Sequence, residues 1–384
     1  MNKRQPPDDE HSLDLSDMRE MDIQDFNFPD MGSIPDPNFP DVGSPLSALP
    51  SLHIPLPEQK FTEVPQLGQF HLQNLKLDFT AGGTARGRPY KALLAIGGTG
   101  QAARTLGTAF GVALLPDGAI YVADFMDDGG QARIQVFDSS GNLVRLLRQF
   151  EVGDAQEAFD TPAALVAAQE GSLYLADMGL GCIKQIASDG QVLGVLGEEG
   201  IASNQLKAPQ GIALDAAGNL CIADSGNSRV LIWDQQGRCL LILGINQPDE
   251  DGDYLQAGER PGEFDEPRGV AVDAAGNILV ADTNNHRIQK FGPAGNLLQA
   301  FGEEGKEVGQ LWYPERIQVD TMGAIYVSDL NGGRLQKFDA STRFVYELLL
   351  PKDAGTVADF RVVTEGHIFV ALRQPGLVLK LEVA

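Results

Sequence analysis

The sequence predicts an all-β fold, a six-bladed β-propeller of four-stranded antiparallel blades. Three observations lead there. First, Pro267 to Gly302 holds four short apolar runs: Val270 to Val272, Ile278 to Ala281, Arg287 to Phe291 and Leu297 to Phe301. Their spacers are Ala-Ala-Gly-Asn, Thr-Asn-Asn-His and Pro-Ala-Gly-Asn. Gly and Asn tolerate the positive φ of tight turns, so the stretch reads as an antiparallel sheet. Second, the stretch recurs. Pro209 to Gly244 and the segment from Pro314 are close copies, and blurred copies start at Phe110, Pro162 and Phe360. Third, a single such sheet of about forty residues cannot bury both faces, so copies must stack on one another.

An Asp closing the second strand marks the period. It falls at Asp124, Asp177, Asp224, Asp282 and Asp329, in steps of 53, 47, 58 and 47 residues. The sixth copy has Leu372 at this place, 43 residues on.

In chain order, residues 1–66 come first. They are rich in Asp, Pro, Ser and Gly, and Pro35, Pro37, Pro40, Pro45, Pro50, Pro55 and Pro57 deny a regular element. A disordered acidic, Pro-rich arm is expected. Within it Asn-Phe-Pro-Asp-Met-Gly-Ser from Asn27 recurs as Asn-Phe-Pro-Asp-Val-Gly-Ser from Asn38. Phe26, Phe28 and Phe39 stand out of this background and read as aromatic anchors of a docking motif.

Residues 67–90 form a linker with a strand-like run from Phe70 to Phe79. Lys91 onward, K-A-L-L-A-I-G-G-T-G-Q, matches N-L-L-Q-A-F-G-E-E-G-K from Asn296, a fourth strand with its exit. It has no first three strands of its own. The chain end supplies three without a fourth: Phe360 to Val363, His367 to Ala371 and Leu377 to Val383. Residues 91–98 are therefore expected to complete the last blade and close a ring spanning 91–384.

The repeats resemble the NHL repeat. The segments P-Q-G-I-A-L-D-A-A-G-N-L-C-I-A-D-S-G-N-S-R-V from Pro209 and P-R-G-V-A-V-D-A-A-G-N-I-L-V-A-D-T-N-N-H-R-I from Pro267 carry the resemblance most fully. It covers residues 91 to 384 and implies a β-propeller.

Composition removes several functions. The 384 residues carry a net charge of −24, and both the first 85 residues and the remainder are acidic. A phosphate-backbone binder needs a basic footprint, so nucleic acid is an unfavoured partner. No run of 18 apolar residues and no signal-like start is present, which predicts no membrane span. Cys182, Cys221 and Cys239 are too few and wrongly spaced for a zinc ribbon. They fit buried free thiols and a cytoplasmic setting.

The repeated Asp invites a metal or catalytic role, but an Arg follows five positions later in three repeats. Asp224 with Arg229, Asp282 with Arg287 and Asp329 with Arg334 read as structural turn pairs, the carboxylate accepting from N–H groups of its own turn. Asp127-Asp128 and the run Asp249 to Asp253 read as solvated acidic loops rather than calcium sites. Gly97 to Gln101 reads as a connector, not a phosphate loop. The histidines show no zinc triad. No cofactor is implied.

Blade connectors and the turns between second and third strands share one rim. Gln210, Arg268, Glu315 and Arg316 are expected there from the connectors, and Asn227, Asn284, His286 and Asn331 from the turns. Loops on a rigid scaffold are where binding concentrates, so Arg268, His286 and Arg316 join the three Phe residues as candidate partner contacts. The expected role is a non-catalytic protein–protein scaffold or adaptor. A lactonase- or lyase-type propeller enzyme acting at the channel mouth is the alternative, and an RNA-binding NHL domain a lesser one.

Overall fold

The computed structural model describes residues 90–97, 106–125, 132–147, 149–152, 155–245, 247–248, 252, 255–330, 333–350, 355–364, 366–373 and 376–383. The arm 1–66, the linker up to residue 89 with its strand-like run, Asp127-Asp128, Asp249 to Asp251, Asp253 and Asn331 lie outside the described residues.

Strand β1 (Tyr90–Gly97) opens the described chain. Blade one is β2 (Thr108–Leu114), β3 (Ile120–Phe125), β4 (Ala132–Phe137) and β5 (Leu143–Leu147). A two-stranded hairpin, β6 (Gln149–Val152) and β7 (Ala155–Ala158), follows. Blade two is β8 (Pro162–Ala167), β9 (Leu173–Asp177), β10 (Cys182–Ile186) and β11 (Val192–Leu196). Blade three is β12 (Pro209–Leu214), β13 (Leu220–Asp224), β14 (Arg229–Trp233) and β15 (Cys239–Gly244). Blade four is β16 (Pro267–Val272), β17 (Ile278–Asp282), β18 (Arg287–Phe291) and β19 (Leu297–Phe301). Blade five is β20 (Pro314–Val319), β21 (Ile325–Asp329), β22 (Arg334–Phe338) and β23 (Phe344–Leu349). Blade six takes β24 (Val357–Thr364), β25 (His367–Leu372) and β26 (Leu377–Val383) from the chain end.

The ring closes as the sequence predicts. Strand β1 pairs antiparallel with β26, from Tyr90 opposite Val383 to Gly97 opposite Leu377, and the sheet order is β1-β26-β25-β24. The hairpin β6–β7 was not foreseen, because its two four-residue strands lack the repeat's pattern. The long step between Asp124 and Asp177 comes mainly from the lengthened turn before Arg133, with this connector adding the rest. Strand β24 also begins three residues before Phe360, where the chain has Val357-Ala358-Asp359 in place of Pro-x-Gly.

The apolar core is divided among the blade interfaces. Tyr121, Ile134 and Leu147 of blade one meet Leu165, Leu173 and Ile186 of blade two. Ile222, Leu231 and Trp233 of blade three pack on Tyr174 and Ile183 of blade two. Ile96, Phe369 and Val378 of blade six meet Val112, Ile120 and Phe137 of blade one, so the seam is as apolar as the other interfaces. Each sheet buries both faces against its neighbours, which is why no blade could stand alone.

The first strand of every blade lies innermost. Gly211 and Gly269 let these strands approach: a Cβ on Gly211 would lie 2.4 Å from the Arg268 carbonyl oxygen, and one on Gly269 would lie 2.6 Å from that of Glu315. Connectors and second-to-third turns share one face of the ring, and the first-to-second and third-to-fourth hairpin turns share the other.

Candidate functional site

The repeated Asp builds the connector face. Asp224 is fully buried and accepts from the Lys207 backbone N–H at 2.6 Å, Asn227 Nδ2 at 2.8 Å and Arg229 Nε at 2.7 Å. Arg229 spends its remaining donors on the carbonyls of Ile201, Ala202 and Gln205. Asp282 with Arg287 repeats this on Asp265 N–H and the carbonyls of Glu259, Arg260 and Glu263. Asp329 pairs with Arg334 and accepts from Trp312 N–H. The backbone donor therefore comes from the connector, 17 residues upstream, and not from the Asp's own turn as expected. The pair ties each incoming connector to its own blade.

The two irregular blades keep the carboxylate by other means. Arg133 still reaches Asp124, at 2.9 Å, across the lengthened turn. In blade two Cys182 stands at the Arg position, and Lys184, two residues on, meets Asp177 at 2.7 Å. Gln135, Gln289 and Gln336 occupy the Lys184 position elsewhere.

On the rim between blades four and five sits an aromatic cluster that sequence reasoning half missed. His286 adopts a left-handed backbone (φ 53°), and so does Tyr313 (φ 53°). The Tyr313 N–H donates to His286 Nδ1 at 3.1 Å. The His286 ring stands edge-on to Tyr313 at 4.2 Å and 5.6 Å from Trp312. The Lys306 ammonium lies 4.6 Å above the half-buried Trp312 ring. Trp312-Tyr313 precedes Pro314 directly, so the repeat register alone could have placed both on this rim. Arg268 lies on the same face, its Nη2 3.1 Å from Glu266, with its Nε buried and unbonded.

Arg316 is not a rim residue. It stands where the close repeats have Gly211 and Gly269, and its side chain runs into the channel. Its guanidinium donates to the carbonyls of Ala358 (2.9 Å), Gln210 (2.6 Å), Arg268 (3.1 Å) and Ala163 (3.0 Å). Four other blades thus converge on one side chain. Burial pulls its pKa below the ordinary guanidinium value, and Glu315 and Asp359 oppose that pull. Glu315, also expected on the rim, is buried and paired with Arg373. Asp359 accepts from Val112 N–H at 3.0 Å and from Arg361 Nη1 at 2.8 Å, and Arg361 donates onward to the Leu165 carbonyl. Gln318 bridges Phe360 and Val362. Blades five and six thereby fill the channel from one side with a polar network. The sequence did signal this, through Pro-Glu-Arg and Val-Ala-Asp in place of Pro-x-Gly.

Beyond this plug the channel opens on the hairpin face. A cavity of 530 Å³ lies among the inner strands of blades two to five, walled by Ile212, Val270 and Ile317, with Gln318 and Arg361 on one side. A second, of 650 Å³, lies over blades six, one and two. Both share Val166 to Gln169 and Arg361. Neither was legible in the repeat pattern.

The three cysteines are free, and burial pushes the Cys221 thiol up to about 12, far from a reactive thiolate. Among the described residues, no group of three His, Cys, Asp or Glu side chains is arranged to hold a metal ion. No described helix is long and apolar enough to cross a membrane.

The NHL repeat signature matches residues 206–233 and 264–291, so the chain carries NHL repeats in blades three and four. NHL repeat-containing protein 3 of Homo sapiens is 30% identical over 48% of this chain and 52% of its own length. The B-box type zinc finger protein ncl-1 of Caenorhabditis elegans is 52% identical over 27% of this chain and 16% of its own. Protein brain tumor of Drosophila melanogaster is 55% identical over 14% and 5%. The chain thus spans about half the length of NHL repeat-containing protein 3 and far less of the other two. Among solved structures, an inactive variant of virginiamycin B lyase from Staphylococcus aureus with quinupristin superposes with a TM-score of 0.52 at 11% identity, over 77% of this chain and 100% of that one. A protein of unknown function from Bacteroides thetaiotaomicron gives 0.52 at 16%, over 78% and 73%. These two share the fold.

Proposed function

We propose that this NHL-repeat propeller is a non-catalytic platform for protein–protein interaction, with the connector rim of blades four and five as its docking surface. The observation that carries the reading is the Trp312–Tyr313–His286 cluster, on the face that also carries Arg268. Rigid aromatics and Arg supply most of the binding energy at protein interfaces. The rim also carries Glu198, Glu199, Glu259, Glu266, Glu303 and Glu304, which favours a protein surface with basic residues over a nucleic acid.

Residues 1–66, with the duplicated Phe-Pro-Asp unit and Phe26, Phe28 and Phe39, serve in this reading as a separate docking segment. Three free cysteines support a reducing, cytoplasmic setting.

The test is affinity capture from native extract with four full-length chains: wild type, Trp312→Ala, Arg268→Ala, and Phe28→Ala with Phe39→Ala. A partner kept by the wild type and lost by the first two variants, all melting alike, supports the rim. Loss only in the Phe variant moves docking to the arm. Retention by all four overturns both assignments.

A further inference from the structure

The hairpin face holds a depression with two cations among Asp-capped turns. Its turns are capped by Asp117, Asp138, Asp189, Asp215, Asp234, Asp273, Asp320 and Asp339, each accepting from N–H groups of its own turn. The 650 Å³ cavity between blades six, one and two departs from this. Leu114, Leu115, Ile120, Val363 and Phe369 make its wall, Arg361 and Lys380 are its charged residues, and among the described residues no carboxylate lines it.

Both cations are placed. Arg361 is anchored by Asp359, the Phe360 carbonyl and the Leu165 carbonyl, bonds that leave part of its five-donor fork unspent. Its side chain is 19% exposed. The Lys380 ammonium lies 5.7 Å from the Phe369 ring centre. Val363, 50% exposed, is an aliphatic residue left in solvent at the edge.

The depression is elongated. Through Val166 to Gln169 and Arg361 it continues into the 530 Å³ cavity over the axis. The inner-strand main chain faces that axis: Leu165 C=O and Val112 N–H are bonded there by Arg361 and Asp359. Ile212, Val270 and Ile317 hold the equivalent places in blades three, four and five and line the cavity. The 650 Å³ cavity offers an apolar wall with two cations, and the 530 Å³ cavity, which Glu170 and Asp215 also line, offers inner-strand edges. A small organic acid would use only the first. An extended peptide would use both.

We propose that this depression docks an extended segment of a partner protein in which an aromatic side chain is followed two residues later by a carboxylate. The ring would enter the apolar wall around Phe369 and Leu114, and the carboxylate would meet Arg361 and Lys380. Charge complementarity favours it, because the carboxylate meets two cations with no carboxylate among the described lining residues, whereas the surrounding turns are capped by Asp. This surface lies on the opposite face from the Trp312 rim and does not depend on it.

Fluorescence anisotropy with labelled Ser-Phe-Pro-Asp-Ser, titrated with the full-length chain carrying Phe28→Ala and Phe39→Ala as the reference background so that its own Phe-Pro-Asp units do not compete, tests the proposal. Saturable binding is expected. It should weaken at least tenfold in Lys380→Glu and in Val363→Asp, weaken with added salt, and stay unchanged in Trp312→Ala. The matched peptide Ser-Phe-Pro-Lys-Ser should bind at least tenfold more weakly. Melting curves establish that both variants fold, and Lys380→Gln, a milder change, should weaken binding by a smaller factor. Equal binding by the reference chain and Lys380→Glu, equal binding of the two peptides, or no saturable binding would overturn it. Self-association in sedimentation velocity that Lys380→Glu abolishes would assign the face to a second copy instead and likewise overturn it.

Discussion

Arg316 on blade five donates to the Gln210 carbonyl on blade three at 2.6 Å, across the axis of the ring. The same guanidinium reaches blades two, four and six. A planar fork with five donors can span such a set, and a flexible ammonium cannot. Arg316→Ala strands buried carbonyls and leaves Asp359 and Glu315 without the charge between them. The expected loss is about 3 kcal/mol, read as a lower urea midpoint. Arg316→Lys should recover less than half. A loss under about 0.5 kcal/mol, the scale of an ordinary surface substitution, would show that the plug does not join the blades.

Blade two offers a swap of parts. Lys184→Gln installs the Gln that blades one, four and five carry, but Cys182 stands where those blades have Arg. Buried Asp177 then keeps the N–H groups of Asp160 and Thr161 and loses its cation. A buried carboxylate without a counter-charge costs about 3 kcal/mol. Adding Cys182→Arg should return at least half of it. Equal stability of Lys184→Gln and wild type would contradict the account of the turn pairs.

Thr283 Oγ1 donates to the Pro314 carbonyl of the next blade at 2.8 Å, and Ser225 Oγ does the same to Pro267 at 2.6 Å. These hydroxyls lie beside the turn Asp and stitch neighbouring blades. Thr283→Val keeps the shape and removes the donor, so about 1 kcal/mol should be lost. Thermal melting of the single variants and of Thr283→Val with Ser225→Ala checks this. The two sites lie on different blade interfaces, so their effects should add.

The ring was legible because its causes are local and repeated. Alternating apolar runs, Gly- or Asn-bearing spacers and the Asp-to-Arg interval recur in each close copy, and the orphan fourth strand at Lys91 names its own partner. The turn pairs were legible for the same reason. The channel was not, because its content depends on which residues depart from the repeat. Arg316 and Asp359 replace Gly at neighbouring positions of the ring, a relation visible only once six inner strands meet. An Arg beside a loop reads as exposed until a structure shows four carbonyls waiting for it. His286 was expected as a contact, and it is also a latch that accepts from the Tyr313 N–H.

The buried Asp residues set a pH dependence opposite to the usual one. Burial pushes Asp329 up to about 6, with Arg334 opposing, and raises Asp224 and Asp282 in the same way. A carboxyl whose pKa is higher folded than unfolded holds its proton more tightly in the native state. Its contribution is full at low pH and is lost as pH rises from about 4, the ordinary Asp value, through about 6. Asp273 runs the other way: burial raises it, but its bonds to Lys290 and Asn277 outweigh that and hold it below the ordinary value. Its contribution fails only below pH about 4, outside this window. The chain should therefore melt higher at pH 5 than at pH 7, with Asp329 supplying on the order of 1 kcal/mol. Asp329→Asn should flatten that slope while Asp273→Asn leaves it unchanged. A midpoint that falls steadily from pH 7 to pH 5 in the wild type, with the same slope in Asp329→Asn, would mean that Arg334 keeps this carboxylate ionised throughout.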